Sequence, residues 1–127
     1  MTENKIGTII VDVAIALHRA LGPGLLESVY EITLAHELKK RGLTVECQVP
    51  IPIVYDEIRF DEGFRADILV NHRVILELKS ITSITSVHRK QIQTYLRLSG
   101  KKLGFLLNFG EAMMKDGIVR VVNGLEE

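Results

Sequence analysis

Three charged residues stand where apolar ones are expected. Asp67 interrupts Ala66-Asp67-Ile68-Leu69-Val70, and Glu77 and Lys79 interrupt Val74-Ile75-Leu76-Glu77-Leu78-Lys79. Charges in such runs are costly unless paired or bound to a metal. Both runs read as strands, joined by a tight connection at Asn71-His72-Arg73. If all three of these residues form the connection, Val70 pairs with Val74 and Asp67 falls opposite Glu77. Opposed residues share a face, with Cβ atoms ~4.5–5.5 Å apart. Lys79, two residues beyond Glu77, projects from that face as well. A two-residue connection moves the register by one and sends the carboxylates to opposite faces.

Two carboxylates side by side repel, and one of them tends to stay protonated. A divalent cation removes the conflict. Oxygen ligands of this kind suit Mg²⁺ or Mn²⁺, which often takes one or two carboxylates and keeps several waters. Lys79 would then steady a water on the metal or the phosphate it attacks. The same residues also admit a plainer reading, an Asp67–Lys79 or Glu77–Lys79 ion pair closing a sheet edge.

The elements that must position this trio follow from hydrophobic spacing. Ile6, Ile9, Ile10, Val13, Leu17, Ala20 and Leu21 recur every three to four residues, which predicts an amphipathic helix over 4–20. Gly22-Pro23-Gly24 breaks it. A second helix is expected over 25–41, with Leu26, Val29, Tyr30, Thr33 and Leu38 inward and Gly42 as its stop. Val45, Val49, Ile51 and Ile53 alternate with Glu46, Gln48, Pro50 and Pro52, and the two prolines mark an edge strand. Asp56-Glu57 and Asp61-Glu62-Gly63 read as turns around a short strand at 58–60. Strands at 64–70 and 74–79, a hydroxyl-rich loop at 80–86, a helix at 87–98 and strands at 103–108 and 118–122 complete the chain. The order α-α-β-β-β-β-α-β-β, with the most apolar strands central, predicts an α/β or α+β sandwich.

Composition narrows the function classes. The 127 residues suit one domain, 1–127. With 46% apolar and 25% charged residues, the chain is expected to fold rather than remain disordered. A single cysteine, Cys47, excludes an internal disulfide framework and favours a reducing compartment. The apolar stretch 6–17 is interrupted by Asp12 and is shorter than the ~20 residues a membrane span needs. It also lacks the layout of a signal peptide, so a soluble, cytoplasmic protein without membrane association is expected. Sixteen Lys and Arg balance sixteen Asp and Glu, yet residues 71–102 carry seven basic side chains against Glu77 alone. Such a segment attracts polyanions even in a neutral chain, or is simply a solvated helix face. Aromatics are 6% and tryptophan is absent, which argues against an extensive base-stacking surface. No phosphate-loop, paired-cysteine zinc or G-x-S-x-G pattern is present.

Asp67 followed by Glu77-Leu78-Lys79 on the next strand resembles the bipartite motif of the PD-(D/E)XK nuclease superfamily. Gly24-Leu25-Leu26-Glu27-Ser28-Val29-Tyr30 resembles the signature of the GxxExxY family, a small branch of it. The likeness continues through Gln91-Ile92-Gln93-Thr94-Tyr95 and Leu106-Leu107-Asn108-Phe109-Gly110, although Ala66 rather than proline precedes Asp67. It implies a restriction-endonuclease-like fold, a mixed central sheet flanked by helices. It implies that Asp67 and Glu77 hold the metal with the Leu78 carbonyl, that Lys79 assists the water nucleophile, and that Glu27 ligands the metal or orients its water. Gln91 and Tyr95, four apart and so on one helix face, would sit beside the site and touch sheet residues or substrate backbone. Arg89, Lys90 and Arg97, with Lys101 and Lys102, flank the site in sequence as phosphate-positioning groups would.

The expected function is therefore a Mg²⁺- or Mn²⁺-dependent phosphodiesterase acting on nucleic acid, with DNA the expected form. A two-fold homodimer would present two sites to a duplex. The alternatives are a non-catalytic nucleic-acid-binding or protein-interaction module that keeps the fold, and a structural protein whose charged trio is an ion-pair network. Single residues have plainer roles too. Glu27 suits the first turn of a helix through the dipole. Tyr30 and Tyr95 suit the edge of a core, and Gln91 a backbone group. His18 suits the core or surface, and His88 and the loop hydroxyls serve either phosphate or the loop itself.

Overall fold

Thr2 opens the first helix, its hydroxyl accepting from the Lys5 amide at 3.2 Å, as N-cap threonines do. In the computed structural model, which describes residues 1–126, this helix (α1, Glu3–Leu21) ends at Gly22 with φ 77°. Its buried stripe is Ile6, Ile10, Val13, Ala14 and Leu17, as the spacing predicts up to Leu17, whereas Ile9 is half-buried and Ala20 and Leu21 in the last turn are exposed. Helix α2 (Glu27–Lys40) buries Tyr30, Leu34, Ala35 and Leu38. Leu26 and Val29, expected inward, are instead 74% and 37% exposed. The helix starts at Glu27, and Tyr30, Leu34 and Leu38 at four-residue steps fix its inward line, leaving Leu26 and Val29 outside it. Helix α3 (Ser86–Ser99) starts from a capping box between Thr85 and His88 and stops at left-handed Gly100.

Five strands form one mixed sheet in the order β1-β2-β3-β4-β5: β1 (Val45–Tyr55), β2 (Ile58–Val70), β3 (Val74–Lys79), β4 (Leu103–Asn108) and β5 (Ile118–Val122). β3 and β4 are parallel across the α3 crossover, and the other neighbours are antiparallel. β1 lies at the edge, and its pairing slips between Ile51 and Ile53, where Pro52 sits. Asp56 and Glu57 form the two-residue hairpin turn, both at positive φ (46° and 70°). The sequence reading of two strands at 58–60 and 64–70 needs correction. Asp61-Glu62-Gly63 does not turn but continues β2. Those residues lie in an exposed two-stranded arm, where Glu62 pairs with Arg65 at 2.7 Å. Gly63 has no side chain because Ile53 occupies that space: an added Cβ would fall 2.6 Å from Ile53 Cγ2. A short 3-10 turn at Met114–Gly117, absent from the sequence reading, leads into β5.

Helices cover both faces. α1 and α2 pack over Ile68, Val70, Val74, Leu76, Leu78, Leu103, Phe105 and Leu107. On the other face Leu96 of α3 packs with Ala66, Leu69 and Ile75. Gly104 of β4 lets α3 approach, since a Cβ there would sit 3.0 Å from Ile92 Cδ1 and 3.2 Å from Leu96 Cδ2. The architecture is the expected α+β arrangement of a mixed sheet between helices. Among the described residues, no helix is long and apolar enough to cross a membrane.

Candidate active site

Val70 pairs with Val74, Leu69 with Ile75 and Ile68 with Leu76. The connection therefore has three residues, with Asn71 and His72 in the left-handed region at φ 50° and 56°. This is the register on which the carboxylate pair depends, because the next step sets Asp67 across from Glu77. The backbone ladder stops at Ile68 and Leu76. Asp67 continues it with its side chain, Oδ2 accepting from the Leu78 amide at 2.8 Å.

Glu77 shares the α3 face with Ile75. It is only 9% exposed, and its Oε1 has no hydrogen-bond partner among the described residues. Burial first, and then the charge of Asp67, push its carboxyl up to about 9, with Lys79 only partly opposing them. Lys79 itself makes no ion pair with either carboxylate among the described residues, so the trio is not a closed ion-pair network. A buried carboxyl beside a second one, with a lone oxygen and no cation in contact, is a donor set suited to a hard dication.

The strand end that carries Lys79 is pinned. Its carbonyl accepts from the Phe109 amide at 2.8 Å. Fully buried Asn108 brackets Ile81, accepting from its amide and donating to its carbonyl, both at 3.0 Å, and accepts from the Gly110 amide at 3.0 Å. Ser80 Oγ donates to the Leu25 carbonyl at 2.8 Å, tying this loop to the break before α2. A polar recess of about 340 Å³, lined by Pro23, Gly24, Ser80, Ile81, Thr82 and Gly110, opens there. Neither this recess nor the other cavities, of about 440, 360 and 220 Å³, is lined by Asp67 or Glu77.

From α3, Tyr95 stacks on Phe64 with ring centroids 3.9 Å apart and planes 2° from parallel. Its phenol is pushed up by burial and then by the charges of Glu77 and Asp67. Gln91, one turn earlier, is exposed. Arg89, Lys90 and Arg97 are exposed and form no ion pair among the described residues. His88 is engaged by its own helix start, Nδ1 accepting from the Thr85 amide at 3.0 Å. Tyr30 is fully buried and clamps the glycine-proline break: its hydroxyl donates to the Gly22 carbonyl at 2.6 Å and accepts from the Leu25 amide at 3.1 Å. His18 is a core residue with Nε2 2.8 Å from the Glu111 carbonyl.

Glu27 is the exposed first residue of α2. No three His, Cys, Asp or Glu side chains among the described residues converge to hold a metal, so Glu27 does not complete a three-acid set with Asp67 and Glu77. On α2, Glu31 is in electrostatic reach of Asp67. Burial raises its carboxyl, the hydrogen bond from Gln48 at 2.6 Å lowers it, and Asp67 and Glu27 raise it further. Sequence reasoning missed Glu31; the available signal was its position one turn after Glu27 on the same helix face.

A sequence profile described as the PD-(D/E)XK nuclease superfamily matches residues 4–121. No curated protein and no solved structure matches the chain. The superfamily's name carries nuclease activity and, with it, nucleic acid as the class of substrate. The matched span runs from α1 into β5 and includes both strands that bring Asp67 and Glu77 together. On that span, this chain belongs to the PD-(D/E)XK nuclease superfamily.

Proposed function

We propose that this protein is a divalent-metal-dependent nuclease of the GxxExxY branch that hydrolyses phosphodiester bonds in DNA. Glu77 is the observation that carries the reading, buried beside Asp67 with one carboxyl oxygen unpartnered among the described residues. Such a group is relieved by Mg²⁺ or Mn²⁺, which accepts a pair of carboxylates while retaining waters. Asp67, Glu77 and the Leu78 carbonyl would hold the ion, and Glu27 would act on the water from the start of α2. A bound dication polarises the scissile phosphate and lowers the pKa of the attacking water. Lys79 orients that water and offsets charge on the phosphate. Gln91 and Tyr95 hold the substrate backbone against the sheet, and Arg89, Lys90 and Arg97 grip flanking phosphates.

Cleavage of plasmid DNA with Mg²⁺ or Mn²⁺ tests the proposal. Wild type is expected to cut, and Glu77→Ala and Lys79→Ala to fall to background. Equal cleavage by the variants overturns the catalytic assignment, and DNA binding without any cleavage would favour an interaction module. The working unit is proposed to be a two-fold homodimer, which addresses both strands of a duplex; sedimentation showing only monomer removes that part.

A further inference from the structure

The β1–β2 pairing is interrupted at Asp67. Val45, Glu46 and Cys47 pair with Val70, Leu69 and Ile68, and Val49, Pro50 and Ile51 pair with Ala66, Arg65 and Phe64. Gln48 and Asp67 face each other at the step skipped between these runs. Residues two apart along a strand ordinarily share a face. Here Ile68 and Val70 belong to the core under α1 and α2, whereas Phe64 and Ala66 belong to the core against α3. Val45 and Val49 divide in the same way across the hairpin. Both strands therefore roll over at this step. Gln48 absorbs the roll in the left-handed region at φ 53°, where a non-glycine residue is uncommon.

The roll has consequences on both sides. Gln48 Nε2 reaches α2 and donates to Glu31 Oε1 at 2.6 Å. Asp67 meanwhile directs its carboxylate to the Leu78 amide at 2.8 Å, on the strand that carries Glu77, whose Oε1 is unpartnered among the described residues. Unusual backbone held by a specific side-chain contact is a recurring sign of a functional constraint.

We infer that Glu31 is a positioning residue for the carboxylate pair: through Gln48 it locks the roll of β1 and β2, and the locked roll aims Asp67. Its effect on metal binding rests on the proposed metal-dependent reading, whereas its effect on Asp67 does not. Glu31 touches neither substrate nor ion in this scheme. It acts as a strut from α2 to the strand opposite Asp67.

The test combines Mn²⁺ titration calorimetry on the full chain with hydrogen exchange of the Leu78 amide in metal-free protein. Glu31→Ala and Gln48→Ala should each weaken Mn²⁺ binding about tenfold, the low end of what removing a supporting hydrogen bond costs a metal site. Together they should weaken it no further, because they cut one strut. Each should also lower the protection of the Leu78 amide. Glu31→Gln still offers Gln48 an acceptor oxygen and should restore both. If Glu31→Ala does not fold, Gln48→Ala carries the same comparison. Wild-type Mn²⁺ affinity and Leu78 protection in these variants, or fully additive losses, would overturn the inference and leave the metal site standing. A wild type that binds no Mn²⁺, but whose Leu78 amide loosens in Glu31→Ala, would overturn the metal reading and keep the strut.

Discussion

Glu77 keeps its proton up to about pH 9 in the folded chain, whereas an ordinary glutamate loses it near 4.5. Between those values the folded state holds a proton that the unfolded state has shed, so stability declines as pH rises. The contribution is whole below the lower value and gone above the upper one, with a slope of at most about 1.4 kcal/mol per pH unit. Denaturant melts of metal-free protein at about pH 5, 7 and 9 should show that decline. Saturating Mn²⁺, which binds the ionised form, should reduce it. Glu77→Gln removes the ionisation while keeping the shape. It should flatten the profile and stabilise the metal-free protein near neutral pH by roughly 1–3 kcal/mol, while abolishing cleavage. A Glu77→Gln variant less stable than wild type at pH ~8 would contradict the burial argument.

Strand ends and helix starts decide whether the side chains meet. β3 ends where Asn108, on the parallel neighbour β4, grips both backbone groups of Ile81. Asn108→Ala leaves several buried groups unpaired and should cost about 2–4 kcal/mol, read as a lower Tm. Cleavage should fall further than stability alone explains, because the loop after Lys79 loses its anchor; unchanged turnover per folded molecule would show that the anchor serves only stability. The arm formed by β1 and β2 illustrates the limit of local reading. Asp61-Glu62-Gly63 has turn-forming composition, yet pairing of Ile53 with Phe60 and Ile51 with Phe64 on either side draws it into one strand. The left-handed pair Asn71 and His72 illustrates the converse. Their position was legible, but the three-residue count that opposes the carboxylates was one of two readings until the strands were paired.

Charge is arranged at the scale of the molecule. The chain is neutral, but its basic excess is concentrated in 71–102, and α3 presents Arg89, Lys90 and Arg97 to solvent. Replacing these three with alanine should weaken DNA binding and reduce the slope of log affinity against log salt by about 2–3, since each phosphate neutralised adds ~0.9 to it. Fluorescence anisotropy over a salt series reads both quantities. An unchanged slope would place the phosphate-binding groups elsewhere.

The sequence by itself determined the apolar runs, the stripe of α1 from Ile6 to Leu17, the edge strand with its prolines and the two acids and one lysine that those runs tolerate poorly. These are local properties, set by composition and period along the chain. Only the tertiary structure decided that Glu77 is left with an oxygen unpartnered among the described residues, that Tyr95 stacks on Phe64, and that Gln48 of β1 reaches Glu31 of α2. Those outcomes depend on which distant segments pack together and on how far a strand pair rolls between two cores, neither of which is encoded in the spacing of neighbouring residues.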